Sequence, residues 1–505
     1  MMSDVANVLS YQLCGDIYIE RRLKIIFYKN FTYWRRQNIP CDSPNWIVGN
    51  LKGISITNSF RQIWQEYYDK YKDSGCPFVG FYWFTRPGVF VLDPILIKQI
   101  LIKDFSKFSD RGIMYCNEED DPLTGSLFNL SGAKWRYMRN KISPAFTVCK
   151  IKAMFPLFKR EAEELVKLFK ETPSLDPILE VRDLISRYTA DVIGSCAFGM
   201  EINSLQQPNT EFLKMCRRAL VEQRMGIVIR FSYPDIARRL HVKHTLGDVE
   251  EYFIDIIRNT LQCREQSGVR RNDFIDILLD LKNNNLGEDA QNLSFGQIAA
   301  QIFSFLLAGY ESSSTAMAFA LYELAQNPTE QEKARQEVIE VIERHDQLFS
   351  YECLKDLVYL EQIMKETLRL YPIAYVLTRQ TLEDYTITDL PNFCIKKGTP
   401  IFLPAGAIQR DERYFSQPNI FKPDNFSAEN VKARHFCLNL SFGQGPRNCI
   451  GLRFAKMQTL IGLTLLLSNF KFSICNQTPI PLIYKKRNFM NYPEKKIFLK
   501  VEKIE

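Results

Sequence analysis

Histidine is scarce in this chain: 505 residues hold only four, His241, His244, His345 and His435. The 13 cysteines include no Cys-x-x-Cys pair. A zinc site of Cys and His is therefore unsupported, and an odd cysteine count without a compact framework reads as free thiols in a reducing compartment. The N-terminal region has no window of about 18 to 20 apolar residues, so a spanning helix is not indicated there. It also has no apolar run ahead of a small-residue cleavage site, which removes a secretory signal. Gly/Ser linkers, charge blocks, low-complexity tracts and repeats are absent, so no composition shift marks a domain boundary. The net charge of +7 is modest and dispersed, which argues against nucleic acid as a partner. It fits an acidic protein partner, an anionic membrane surface or an ordinary solvated basic surface.

Aromatic residues, by contrast, are plentiful at 13%, with 36 Phe. They suit either an enclosed apolar ligand or a large core. Residues 21–36 (RRLKIIFYKNFTYWRR) mix bases with aromatics, a pattern of an interfacial amphipathic helix or of a solvated surface helix. Pro40 and Pro44 close this leader, taken as residues 1–46, and 47–505 reads as a single large domain. A helical pattern covers 58–72. Two β-rich runs in 78–92 predict a hairpin turning at Arg86-Pro87-Gly88. Helical patterns then dominate to about 370, a second β-rich patch covers 376–403 around Lys396-Lys397-Gly398, and a strongly apolar helix follows Gly451. The fold class is mainly α with a smaller β part.

One helix is unusually long and apolar. Ser294 with Gln297 predicts a capping-box start, and Asn327-Pro328 a stop. Its centre reads Ala308-Gly309-Tyr310-Glu311-Ser312-Ser313-Ser314-Thr315. Small and hydroxylated residues there permit close approach of another body, a neighbouring helix in the simplest case.

The segment Phe442-Gly443-Gln444-Gly445-Pro446-Arg447-Asn448-Cys449-Ile450-Gly451 carries the chemistry. Two glycines and a proline prescribe a tight loop that opens the apolar helix. A Cys at that position has its thiolate favoured by free backbone N–H groups, and Arg447 adds positive charge. The environment suits a metal-ligating thiolate or a nucleophile. No recognisable histidine base accompanies it, and the loop lacks the Lys-Ser/Thr of a phosphate loop and the acidic partner of a dinucleotide fold.

This segment resembles the cytochrome P450 family's Phe-x-x-Gly-x-Arg-x-Cys-x-Gly signature at every fixed position. The resemblance extends, in order, to Trp135-Arg136-Tyr137-Met138-Arg139, to the central helix, to Glu366-Thr367-Leu368-Arg369 and to Arg379. It implies heme b (iron protoporphyrin IX) between the central helix and the Cys loop, with Cys449 as metal ligand. Trp135, Arg139, Arg379, Phe442 and Arg447 are implied as cofactor contacts, and Glu311 and Ser312 as the catalytic acid–alcohol pair. It further implies a monooxygenase of apolar small molecules, drawing electrons from NADPH-cytochrome P450 reductase, with cytochrome b5 as an additional donor. Lys134, Arg136 and Lys141 would steer the reductase. Substrate would meet the 109–130 loop, Phe303, Ala308, Ser312 and Ile373–Leu377. The stretch Asp121–Leu130 is closest to microsomal insect enzymes that oxidise plant toxins and insecticides, which implies the cytoplasmic face of the endoplasmic reticulum membrane.

Three departures stand out. Ser312 occupies the usual Thr position, and the anchor of microsomal members is not recognisable. Asn425 in Phe421-Lys422-Pro423-Asp424-Asn425-Phe426 replaces an Arg expected to grip Glu366, so cofactor retention or stability is expected to suffer. A haem-thiolate isomerase or dehydratase is the rival enzyme, against which Glu311-Ser312 argues. A non-catalytic haem or lipid binder is the rival outside enzymes.

Overall fold

The computed structural model describes residues 30–504, except 55, 113–115, 117, 172–176, 222–224, 244, 246, 272, 284–292, 388–389 and 487–489. Of the basic–aromatic leader, residues 21–29 lie outside the described set. Tyr33–Arg36 forms one helical turn, and Trp34 is a core residue. Its indole meets Phe78 edge-on and Phe393 at a tilt. Gly80 makes room for it, since a Cβ there would fall 2.3 Å from the indole.

The β part starts as a hairpin of β1 (Phe78–Trp83) and β2 (Arg86–Val91). Its turn lies at Phe84-Thr85, not at Arg86-Pro87-Gly88, with Phe84 at a φ of 52°. Arg86 pairs with Trp83 and Pro87 with Tyr82, inside the ladder. Gly88 serves close packing rather than a turn: a Cβ would stand 2.7 Å from the Phe402 ring. The remaining strands are β3 (Ile178–Glu180), β4 (Leu377–Gln380), β5 (Tyr385–Ile387), β6 (Leu390–Ile395), β7 (Pro400–Leu403), β8 (Phe470–Ser473) and β9 (Phe498–Lys503). They form sheets ordered β1-β2-β7-β4, β3-β9-β8 and β5-β6. Among the described strands only β2 and β7 pair in parallel. An aromatic core backs the first sheet, where Trp64 of α1 (Phe60–Tyr71) stacks on Phe81, Trp83 and Phe90.

The helical part is larger. The helices that bear on the site are α2 (Gly132–Ile142), α3 (Val181–Ile193), α4 (Met225–Ser232), α5 (Phe295–Gln326), α6 (Val358–Leu370) and α7 (Leu452–Asn469). Helix α5 starts as expected. The Ser294 hydroxyl accepts from the Gln297 N–H (3.2 Å), and the Gln297 side chain accepts from the Ser294 N–H (3.0 Å). It crosses α3 at Gly309, where a Cβ would lie 2.8 Å from the Ile193 side chain. The glycine in its centre therefore serves helix–helix packing. Among the described residues no helix is long and apolar enough to cross a membrane.

Candidate active-site cleft

The Cys449 loop is shaped by its own backbone. The Cys449 N–H donates to the Phe442 carbonyl (2.8 Å) and the Asn448 N–H to the Gly445 carbonyl (3.0 Å). Gly443 and Gly445 take φ of 70° and 75°, a region that costs a side-chain-bearing residue. At Gly445 a Cβ would also sit 1.9 Å from the Leu101 carbonyl oxygen, so glycine is required twice over. Cys449 is exposed and lies three residues before α7. Desolvation by the surrounding loop pushes its thiol up, opposed by the Gly451 backbone hydrogen bond and by Arg139 and Arg111.

The middle of α5 supplies a second exposed surface. Nearly the whole helix is buried, yet Ala308 is exposed and Ser304, Leu307 and Ser312 are half-buried, three to four residues apart on one face. Gly309, beside this stripe, approaches the ring of Phe454 in the first turn of α7. The stripe and the Cys449 loop thus border one cleft.

Arginines gather around it. Arg447 is buried, donates to the Leu130 carbonyl (2.6 Å), and lies over the Trp135 ring (4.4 Å to its centre). Its Nε and Nη1 have no partner among the described residues. Desolvation and the nearby Arg111 depress it to about 9. Arg379, also buried, donates Nη1 to the Thr378 carbonyl while Nε has no partner among the described residues. Desolvation, Arg111 and Arg447 hold it well below its ordinary value. Arg111 rests over the Phe128 ring (4.2 Å), has no Nε partner among the described residues, and is depressed to about 10, chiefly by desolvation. Arg139 donates to the Asn448 carbonyl (3.0 Å) and side chain (2.9 Å), tying α2 to the Cys loop. Against these four cations stands the carboxylate of Asp110, 3.7 Å from Arg447.

Mutually repelling, partly unsatisfied guanidinium groups are costly unless an anion joins them. Two carboxylates arriving together would satisfy them, which is the chemistry of haem propionates. The donor set therefore fits that group. Trp135, Arg139, Arg379 and Arg447 are brought together here, and Phe442 packs half-buried against the helical core. Arg111 was missed. Its only local mark is a glycine neighbour, and its role depends on a tertiary approach that no spacing rule encodes.

The acid and the alcohol of α5 do not bond to each other. Ser312 donates to the Ala308 carbonyl one turn back, and the buried Glu311 accepts from Arg182 of α3. Arg182 is a second residue the sequence reading missed. Phe303 is buried, its ring 5.2 Å from that of Phe253. Part of the 109–130 loop, 113–115 and 117, lies outside the described residues.

Below the cleft, Arg369 and Glu366 of α6 form a fully buried, two-pronged ion pair at 2.7 and 2.8 Å. Arg369 also donates to the carbonyls of Gln409, Pro418 and Ile420. The expectation that Asn425 leaves Glu366 poorly held is corrected here. Asn425 donates Nδ2 to Glu366 (3.0 Å), and the Lys422 N–H donates to the same oxygen (2.8 Å). The Arg434 guanidinium bonds the Asn425 carbonyl, over the rings of Phe415 and Phe426. Asn425→Arg would push a larger cation into a filled site beside Arg369 and Arg434. It should cost about 1–3 kcal/mol as overpacking, read as an earlier thermal transition. A gain in stability would show that Glu366 still lacks a partner.

The chain matches the family model described as Cytochrome P450 over residues 39–501. It is 51% identical over 479 residues to the probable cytochrome P450 6a21 of Drosophila melanogaster, covering 94% of this chain and 95% of that protein. Cytochrome P450 6a9 of the same fly is 50% identical over the same length and shares. Cytochrome P450 6A1 of Musca domestica is 41% identical over 486 residues, covering 94% of each chain.

Proposed function

The chain belongs to the cytochrome P450 family and is a haem monooxygenase, and from that premise we propose that it would hold iron protoporphyrin IX with the Cys449 thiolate as iron ligand. The observation that carries this reading is the set of unsatisfied guanidinium nitrogens of Arg111, Arg379 and Arg447 beside the exposed sulfur of Cys449. When bound, the haem supplies dioxygen activation, to which a thiolate ligand contributes electron density. The residues of the chain do the rest. The arginines bind the propionates, Trp135 seats Arg447, and Arg139 fixes Asn448 next to the ligand. The residues from 47 onward make one haem domain.

The substrates are apolar small molecules, xenobiotics and plant toxins foremost, with steroids and fatty acids of the same physical class. Electrons come from NADPH through NADPH-cytochrome P450 reductase, with cytochrome b5 as a second donor. Arg136 and Lys141 offer basic docking charge on α2, while Lys134 is paired with Glu118 at 2.8 Å. The test is reconstitution with reductase, NADPH and labelled dioxygen. One labelled oxygen atom in the product supports the reading. Product formed without NADPH or oxygen supports an isomerase instead.

Ser312 carries a hydroxyl on the half-buried stripe of α5, and Glu311 is the acid next to it in the chain. Proton delivery needs Glu311 to leave Arg182 or a water to bridge them. Ser312→Ala should lower product formed per NADPH severalfold while peroxide rises. Ser312→Thr should couple as well or better, since its methyl restricts the rotamer. Full coupling in Ser312→Ala removes the hydroxyl from the reaction.

The endoplasmic reticulum membrane, met from its cytoplasmic face, is the proposed location. Trp46, Ile47, Ile236 and Leu240 are exposed, and the Tyr233 hydroxyl, donating to the Ile47 carbonyl (3.2 Å), brings the two segments together. With Arg238 and Arg239 exposed among them, this face suits a shallow position at an anionic interface. Alkaline carbonate should release the protein from microsomes. Release by detergent alone would show that a segment inserts more deeply.

A further inference from the structure

Between one face of α1 and the segment 410–419 lies a cavity of about 510 Å³, walled by Arg61, Glu66, Asp69, Lys72, Arg410 and Glu412. None of the cleft arginines lines it. Its own two arginines are firmly seated. Arg61 lies over the Tyr484 ring (4.3 Å to its centre) and near that of Tyr375 (5.6 Å). Tyr375 belongs to the core behind the sheet, and Tyr484 packs on the edge of the helical core. The Tyr375 hydroxyl donates to Gln65, and its ring packs on Gly406, where a Cβ would stand 2.4 Å away. Arg410 donates to the Leu370 carbonyl at the end of α6 (2.6 Å) and to the Asn419 side chain (2.7 Å). The Nη1 of Arg61 and the Nε of Arg410 are buried with no partner among the described residues, and neither guanidinium is ion-paired there. The three carboxylates of the wall are exposed. Asp69 accepts from Gln65 (3.0 Å), and Glu412 faces Lys72 (3.8 Å).

Burial, and then the Arg61 charge beside it, hold Arg410 below its ordinary value. Two half-buried like charges without a counter-ion are costly, and an oxyanion between them removes the cost. The planar fork of a guanidinium matches phosphate oxygens two at a time. A carboxylate would balance one of the two charges. A phosphate monoester, close to a dianion at neutral pH, balances both. Glu66, Asp69 and Glu412 on the exposed side repel a polyanion, which limits the occupant to a single phosphate group. We propose that Arg61 and Arg410 bind the phosphate of a small phosphate monoester, free or as a lipid headgroup. The site stands apart from the haem reading of the cleft.

The test titrates the full-length haem-loaded protein with phenyl phosphate, followed by calorimetry at constant ionic strength. Wild type should bind one phenyl phosphate per chain. Arg61→Gln should weaken binding at least about tenfold, as for the loss of one charged hydrogen-bond partner. Arg61→Lys keeps the charge without the fork and should weaken it severalfold. Lys72→Gln removes the same charge from the far end of the cavity and should change affinity by less than about twofold, as for an exposed charge. Should Arg61→Gln fail to fold, Arg61→Lys decides, and wild-type affinity there overturns the proposal. Wild type without saturable binding overturns it, as does unchanged affinity in Arg61→Gln. Equal weakening in Lys72→Gln and Arg61→Gln also overturns it, since surface charge alone would then be at work. Vesicles of phosphatidylcholine, alone or mixed equally with phosphatidic acid, separate the two sources. Retention on the mixed vesicles that falls in Arg61→Gln and is competed by phenyl phosphate assigns the lipid headgroup. Retention equal in wild type and Arg61→Gln, with phenyl phosphate binding still dependent on Arg61, assigns a soluble ester.

Discussion

Cys449→Ala should abolish NADPH-supported oxidation while leaving the fold nearly intact. The sulfur is exposed at the cleft and the loop is held by backbone hydrogen bonds from Cys449 and Asn448. Alanine keeps that backbone, so stability of the haem-free protein should change by less than about 1 kcal/mol, as for an exposed substitution. Turnover should fall by more than about a hundredfold, since loss of a mere supporting residue around a metal ligand already costs about 10–100-fold. No other cysteine of the sequence stands in a loop that matches the glycines, proline and arginine before Cys449. Cys196, Cys216, Cys353 and Cys437 are buried, and burial pushes the Cys196, Cys216 and Cys437 thiols up, away from the thiolate form. Thermal unfolding and product formation, measured on the same preparation, check this. A variant that turns over at a tenth of the wild-type rate or better would remove Cys449 from the iron.

Arg369→Met should have the largest effect on stability. It leaves the Glu366 carboxylate fully buried without its charge partner and strips donors from three carbonyls. Removing one member of a buried pair costs about 3–5 kcal/mol, against about 5–15 kcal/mol for a whole folded domain. The variant should accumulate poorly, lose haem and unfold at a clearly lower temperature. The double change Glu366→Leu with Arg369→Met should recover part of the loss, because no lone charge remains. Thermal scans of the single and double variants check the sign of that coupling. Additive losses would show that the two side chains act through separate contacts.

The parts of the molecule that were legible in its sequence are those whose cause is local. The capping box at Ser294 and the stop at Asn327-Pro328 bound α5, because caps are written in adjacent residues. The Cys449 loop was legible for the same reason, its glycines and proline lying within a few residues of Cys449. Where a residue's role comes from what approaches it, the sequence misleads. Arg86-Pro87-Gly88 looks like a turn, yet Gly88 is there because the Phe402 ring crosses the strand, and the chain reverses two residues earlier. Asn425 looks like a lost contact, yet a backbone N–H from Lys422 and its own amide reach Glu366. Arg111 and Arg182 carry no local signal, and their importance depends on the other charges that converge on the cleft and on Glu311. Glu311 and Ser312 were adjacent in sequence and read as a pair, but a helix turns successive side chains about 100° apart. One faces Arg182 and the other bonds back to Ala308.

The central claim is that a Cys449 thiolate ligates haem iron in this cleft. The carbon monoxide difference spectrum of the dithionite-reduced wild-type protein tests it most directly, because the position of the carbonyl Soret band reports the ligand opposite the gas. The account predicts the strongly red-shifted band of a thiolate-ligated haem. A band of the histidine-ligated kind, or no carbonyl complex in protein that retains haem, would contradict it.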